Sequence, residues 1–170
     1  MQLTFARPAG FAGAALAAAV LAGCGGPETA ARPPLVTDNQ WIANVSGVID
    51  QLNGDVSAAA VAGRGVAAAR RALHDESDLY GLLIAYSDFG GCARMVAGVG
   101  NPPPGFGRVQ SALDEACGRF QRAAVLFTWA TSETDAHALL GASGQVKLAQ
   151  AALYRASLRL AAARTARSAS

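Results

Sequence analysis

The chain has little histidine, almost no lysine and no surplus of charge of either sign, and each shortage excludes something. It has two histidines, His74 and His137. A ferritin-like di-iron bundle requires Glu-x-x-His on two of its helices. Arg71 stands three residues before His74 and Thr134 three before His137, so that centre is excluded. Fourteen basic against twelve acidic side chains give a formal charge of +2. A dedicated nucleic-acid binder would carry a strong basic surplus or stripe, so that class is excluded too. Lys147 is the only lysine, and the chain is rich in Ala and Gly. That usage is the bias of a GC-rich genome, such as an actinobacterial one. No apolar run reaches the roughly 20 residues that a membrane-spanning helix needs. Neither strand-like alternation nor an internal repeat is visible.

Fragments of catalytic motifs occur without their context. Asp88-Phe89-Gly90 spells the magnesium motif of protein kinases, but the glycine-rich loop, the lysine and the catalytic loop are missing. Gly141-Ala142-Ser143-Gly144 is not a Gly-x-Ser-x-Gly elbow, and no strand precedes it. Glu133, Asp135 and His137 are potential ligands at alternate positions, which point to different sides of a helix. Two acids in a first helical turn complement the helix dipole instead. Asn44-Val45-Ser46 matches a glycosylation acceptor but lies inside a predicted helix. No catalytic residue, metal ligand or cofactor emerges from these patterns.

What is present begins at the N-terminus. A short region with one cation, Arg7, precedes an apolar run from Gly10 to Ala22. This is the length of a signal-peptide core. The run ends in Leu21-Ala22-Gly23-Cys24, an aliphatic residue, two small residues and a cysteine. Gly23-Cys24-Gly25-Gly26-Pro27 would end any helix there.

This segment, residues 1 to 24 only, resembles the lipobox of bacterial lipoproteins. The resemblance implies diacylglycerol on the Cys24 thiol and cleavage before Cys24, with Leu21, Ala22 and Gly23 read by the peptidase. The mature protein would then sit on the outer face of the cytoplasmic membrane. Each buried CH₂ of an acyl chain contributes about 0.8 kcal/mol, so two or three chains hold durably. Conventional secretory cleavage near Ala18-Ala19-Val20 is the alternative.

Removing residues 1–23 from a chain of 170 leaves 147. Arg7 goes with them, leaving 13 of the 14 basic side chains against 12 acidic ones. Residues 24–36 read as the lipidated N-terminus and a Gly/Pro-rich flexible tether. Residues 37–165 form the predicted domain, and 166–170 a disordered tail. Cys92 and Cys117 remain, and an extracytoplasmic setting favours a disulfide between them. Their midpoint lies between Pro104 and Gly105, inside the turn Asn101–Gly107, so an antiparallel hairpin would set them opposite one another. Two buried free thiols are the alternative.

Helical periodicity fills the domain. Trp41, Val45, Val48, Leu52 and Val56 predict a first helix capped by Thr37 or Asp38, with a break near Gly63-Arg64-Gly65 and a short second segment. Asp75 or Ser77 caps the next helix, which carries Leu79, Leu82, Leu83, Tyr86, Phe89, Ala93 and Val96. Phe106, Val109, Leu113, Cys117, Phe120, Ala124 and Phe127 form the clearest stripe. A last helix opens at Thr131 or Ser132, where Ser132 and Asp135 resemble a capping box. It repeats Leu139, Val146, Leu153 and Leu160, with Gly141 and Gly144 as points of bending. The five cations from Lys147 onward suit a helix C-terminus, or contact with anionic headgroups or an acidic partner. Trp41 and Trp129 read as bundle-end caps, or as the lining of a small apolar site or a membrane contact.

The expected fold is all-α, an antiparallel bundle of about four main helices with a disulfide-linked hairpin. The expected function is a lipid-anchored, non-catalytic interaction or accessory module of the cell envelope, with the membrane and an envelope protein as partners and no nucleic acid. A carrier holding a lipid or other apolar ligand within the bundle is the second reading, and an enzyme without a recognisable motif the third.

Overall fold

The computed structural model describes residues 37–168. They form five α-helices and one 3-10 turn, with no strand among the described residues. The segment carrying Leu21, Ala22, Gly23 and Cys24 lies outside them.

Helix α1 spans Asp38–Ala59 and opens where the Thr37 hydroxyl accepts the Gln40 N–H at 3.2 Å. Its buried stripe is Trp41, Val45, Ile49, Leu52, Val56 and Ala59. Ile49 takes the central position expected of Val48, which is only partly buried. The run 45, 49, 52, 56 stays on one face, whereas Val48 falls beside it. The chain then tightens into a 3-10 turn, Ala60–Arg64. The break comes at Gly65, whose φ of +133° and ψ of 172° lie in a region essentially reserved for glycine. Helix α2, Val66–His74, follows and buries Ala69, Ala72 and Leu73.

Asp75 caps helix α3, Glu76–Gly98, by accepting the Asp78 N–H at 3.0 Å. Glu76 and Asp78 in the first turn suit the positive end of the helix dipole. The triple-proline turn then leads to α4, Gly107–Glu133. Gly100 and Gly105 have φ near +90°, which permits the tight reversal.

The boundary between α4 and the last helix differs from expectation. It falls at Thr134 and Asp135, not at Thr131 or Ser132. The Thr131 and Ser132 hydroxyls donate back to carbonyls of α4, so both residues stay helical. Thr134 turns left-handed at φ 53°, and the Asp135 carboxylate accepts the N–H groups of His137 and Ala138. Helix α5, Ala136–Ser168, is uninterrupted at Gly141 and Gly144. It also continues three residues past the expected end at 165. Ser168 donates to the Arg164 carbonyl, and Arg167 pairs with Asp38 of α1. These ties hold the last turn helical.

The long helices touch in the sequence α1–α3–α4–α5 and back to α1, and α2 packs on α3 and α5. The starts of α1 and α4 meet the ends of α3 and α5. Trp41 donates its indole N–H to the Gly100 carbonyl at 3.1 Å and lies 5.3 Å from the Phe106 ring. Between α3 and α4, Tyr86 stacks on Phe127 at 4.3 Å and Phe89 on Phe120 at 4.4 Å. Cys92 and Cys117 follow in the same seam, joined as a disulfide with Cα atoms 5.3 Å apart.

Candidate functional site

The buried interior of α5 is interrupted by one polar side chain, and this leads to the best-formed site. Leu139, Ala142 and Val146 are buried apolar residues, and Ser143 beside them is 5% exposed. Its hydroxyl donates to the Leu139 carbonyl at 3.1 Å. Above Ser143 the end of α1 and the 3-10 turn supply mostly small groups. Val56, Ala59, Ala60 and Gly63 face Ser143 and Val146 across a cleft of about 210 Å³. Arg64, Lys147 and Gln150 complete its lining. A Cβ placed on Gly63 would meet the Ser143 Cβ at 3.5 Å and the Lys147 Cε at 3.9 Å. The aliphatic stem of Lys147 thus lies along the cleft wall, with its ammonium free to reach solvent.

Charge at this cleft is one-sided. The ion pairs among the described residues are Arg155–Glu115 and Arg167–Asp38. Arg64 and Lys147 have no carboxylate partner there. Behind Ser143, Tyr86 is buried, and its hydroxyl has no partner in good hydrogen-bonding geometry. Burial pushes the phenol up to about 12, and the approach of the Ser143 hydroxyl offsets part of that.

A second feature lies on the outer face of α4. Val125 and Trp129 are 70% and 59% exposed and four residues apart, on one side of the helix. Val125 also lines an open groove, with Gly118, Gln121, Arg122, Leu126 and Gln145. The carboxamide oxygen of Gln145 is sealed from solvent without a partner. The two tryptophans therefore diverge. Trp41 is fully buried as a bundle-end cap, while Trp129 faces out.

A third feature is a carboxylate pair between α1 and α3. Gln51 donates to Asp88 at 3.2 Å, and Asp55 lies near enough to feel the Asp88 charge. Burial first, and Asp88 second, raise the Asp55 carboxyl to about 6. Asp88 thus belongs to a helix–helix contact, and Phe89 beside it is buried in the core.

Among the described residues no three His, Cys, Asp or Glu side chains converge to hold a metal. Of the residues singled out in the sequence, Cys92 and Cys117 come together. Glu133, Asp135 and His137 fall on either side of the left-handed Thr134 and serve as helix end and cap. Ser46 donates to the Ile42 carbonyl and accepts from Arg164, so its hydroxyl ties α1 to α5. Arg64, Ser143 and the Asp55–Asp88 pair were not legible as sites, because each depends on the register between helices distant in sequence. One signal did exist, a serine on the buried face of an otherwise apolar stripe. Comparison of the chain with protein-family models, with curated proteins and with solved structures finds no match in any of the three.

Proposed function

We propose that this protein is a lipid-anchored helical module on the outer face of a bacterial cytoplasmic membrane, attached through Cys24. Its four long helices form an antiparallel bundle, and it works by contact with a protein partner in the cell envelope. The outer face of α4 carries this reading. Single exposed apolar residues are ordinary. Here, however, Val125 lines an open groove whose walls include Arg122 and Leu126, and the exposed Trp129 stands one helical turn beyond it. Exposed aromatics and arginine are enriched where proteins meet. The aromatic and disulfide-linked seam behind α4 holds that face rigid, which lowers the entropic cost of binding.

The test is site-specific photocrosslinking in native envelopes. A photoreactive residue replacing Trp129 should give a reproducible protein adduct, and the same residue replacing the exposed Asp50 of α1 should not. Equal labelling at both positions, or none at Trp129, removes the α4 face as the contact. The anchor is tested separately. Cys24→Ala should abolish acyl labelling and leave unprocessed or shed protein, and unchanged labelling refutes lipidation.

A second reading, a carrier, has one observation in its favour. The cleft under the 3-10 turn is concave and mostly apolar, but its 210 Å³ falls below the roughly 300–1,000 Å³ of drug-sized sites. It would suit a small ligand and not a lipid chain enclosed within the bundle.

A further inference from the structure

We propose that the cleft between the 3-10 turn and α5 binds a small amphiphilic anion, a carboxylate bearing a short hydrocarbon chain. This deepens the carrier reading by naming the ligand class. It depends on neither the lipid anchor nor the α4 face.

Three observations converge. The walls, Val56, Ala59 and Val146, are buried apolar groups that accept hydrocarbon but give an ion nothing. The mouth carries two cations, Arg64 and Lys147, with no acidic residue in the lining and no ion-pair partner for either. Other arginines of α5 are engaged. Arg155 pairs with Glu115, Arg159 donates to the Arg108 carbonyl, and Arg164 donates to Ser46 and Ile42. Two like charges on one small cleft repel each other, and a bound anion relieves that repulsion. The floor is polar where packing alone would favour alanine. Ser143 sits at 5% exposure, and its hydroxyl approaches that of the buried Tyr86 behind it.

The division of labour follows. The carboxylate lies at the mouth, taking charge-assisted hydrogen bonds from Arg64 and Lys147. Gln150 offers a neutral donor beside them. The hydrocarbon chain lies against Val56, Ala59 and Val146, where Gly63 adds no side chain to the lining. A long acyl chain is excluded by the size of the cleft.

The experiment is a titration of the full-length chain in a zwitterionic detergent, following backbone amide shifts with hexanoate, hexanol, acetate and inorganic phosphate as probes. Hexanoate should shift Gly63, Ser143 and Lys147 saturably at millimolar concentration while leaving Val125 and Trp129 unmoved. Lys147→Gln or Arg64→Gln should weaken it about tenfold, the equivalent of one charge-assisted hydrogen bond. Gly63→Leu should abolish it by filling the cleft, with unchanged near-UV circular dichroism showing an intact core. Equal binding of hexanol overturns the anionic specificity but leaves an apolar carrier standing. Equal binding of acetate or phosphate reduces the cleft to a plain anion site and overturns the proposal. No saturable shift with any probe overturns both the proposal and the carrier reading.

Discussion

Helix α4 is packed on its two sides by opposite means. Toward α3 it presents Phe120 and Phe127, stacked against Phe89 and Tyr86, and ends the series in a covalent bond. Toward α5 the pairing is the most extensive among the described helices, yet the buried residues of the two helices include Ala112, Ala116, Ala123 and Ala130 with Ala142, Ala149, Ala152 and Ala156. The first seam draws its stability from a few large apolar surfaces. The second draws it from close approach of two backbones over a long contact, where each atom pair contributes little and the sum is large. Removing one group should therefore hurt the first seam most, and adding one should hurt the second.

The largest effect is expected from Phe120→Ala. Phe120 is fully buried and in ring contact with Phe89, so its loss leaves a cavity and should cost about 3–5 kcal/mol. Urea unfolding measures this, and a loss under about 1 kcal/mol would mean that the seam collapses around the gap. The disulfide comes next. Cys92 and Cys117 enclose a separation of 25 residues, and opening that loop should cost about 3–4 kcal/mol. Unfolding midpoints with and without reductant give the figure, and mass spectrometry without reductant should find the two cysteines joined. On the α5 side, Ala149→Leu forces a larger side chain into a fully buried position and should cost about 1–3 kcal/mol. If the same change proves neutral, the helices are not in close contact there and the contrast fails.

The smallest effect belongs to the α1–α3 contact, and its sign is opposite to that of an ordinary ion pair. The folded state raises the Asp55 carboxyl to about 6 from the ordinary aspartate value of 3.8. Well below pH 3.8 both states are protonated and nothing is lost. As pH rises to about 6 the unfolded chain ionises first, so stability declines through that window and stays reduced above it. Asp55→Asn should remove this decline and stabilise the protein near neutrality. The gain should be below about 1 kcal/mol, because Asp55 is only partly buried and solvent screens it. Stability curves at pH 4 and pH 7 decide the point, and a variant less stable than the parent at both would contradict it.

The contrast also explains what could be read in advance. A stripe within one helix depends on local spacing, and there the pattern served well. Val109, Leu113, Cys117, Phe120 and Phe127 are all buried, as are Leu139, Val146, Leu153 and Leu160. Spacing also pointed to Cys92 and Cys117, since they flank one turn evenly. It misjudged Val48 against Ile49, adjacent residues that a helical wheel separates by only about 100°. It also placed Leu83 and Ala93 on the core face of α3, where both are exposed, and Ala124 on that of α4, where it is only partly buried. It misplaced the start of α5 because Thr131, Ser132 and Asp135 can all cap a helix, and no local pattern states that the left-handed turn falls at Thr134. The cleft lay further out of reach. Gly63 and Ser143 are 80 positions apart, and no local pattern states which turn of α5 will face the 3-10 turn.

The way α1 begins has a mechanical consequence. Within its first turn, Asp38 is held by Arg167 and Trp41 by the Gly100 carbonyl, across 129 and 59 residues of sequence. A force arriving from the residues before Thr37 meets those two fastenings at once. It cannot unwind α1 turn by turn from its end. It must first part the opening of the fold from the α3–α4 turn and from the last turn of α5, so the load is shared by the whole end of the molecule.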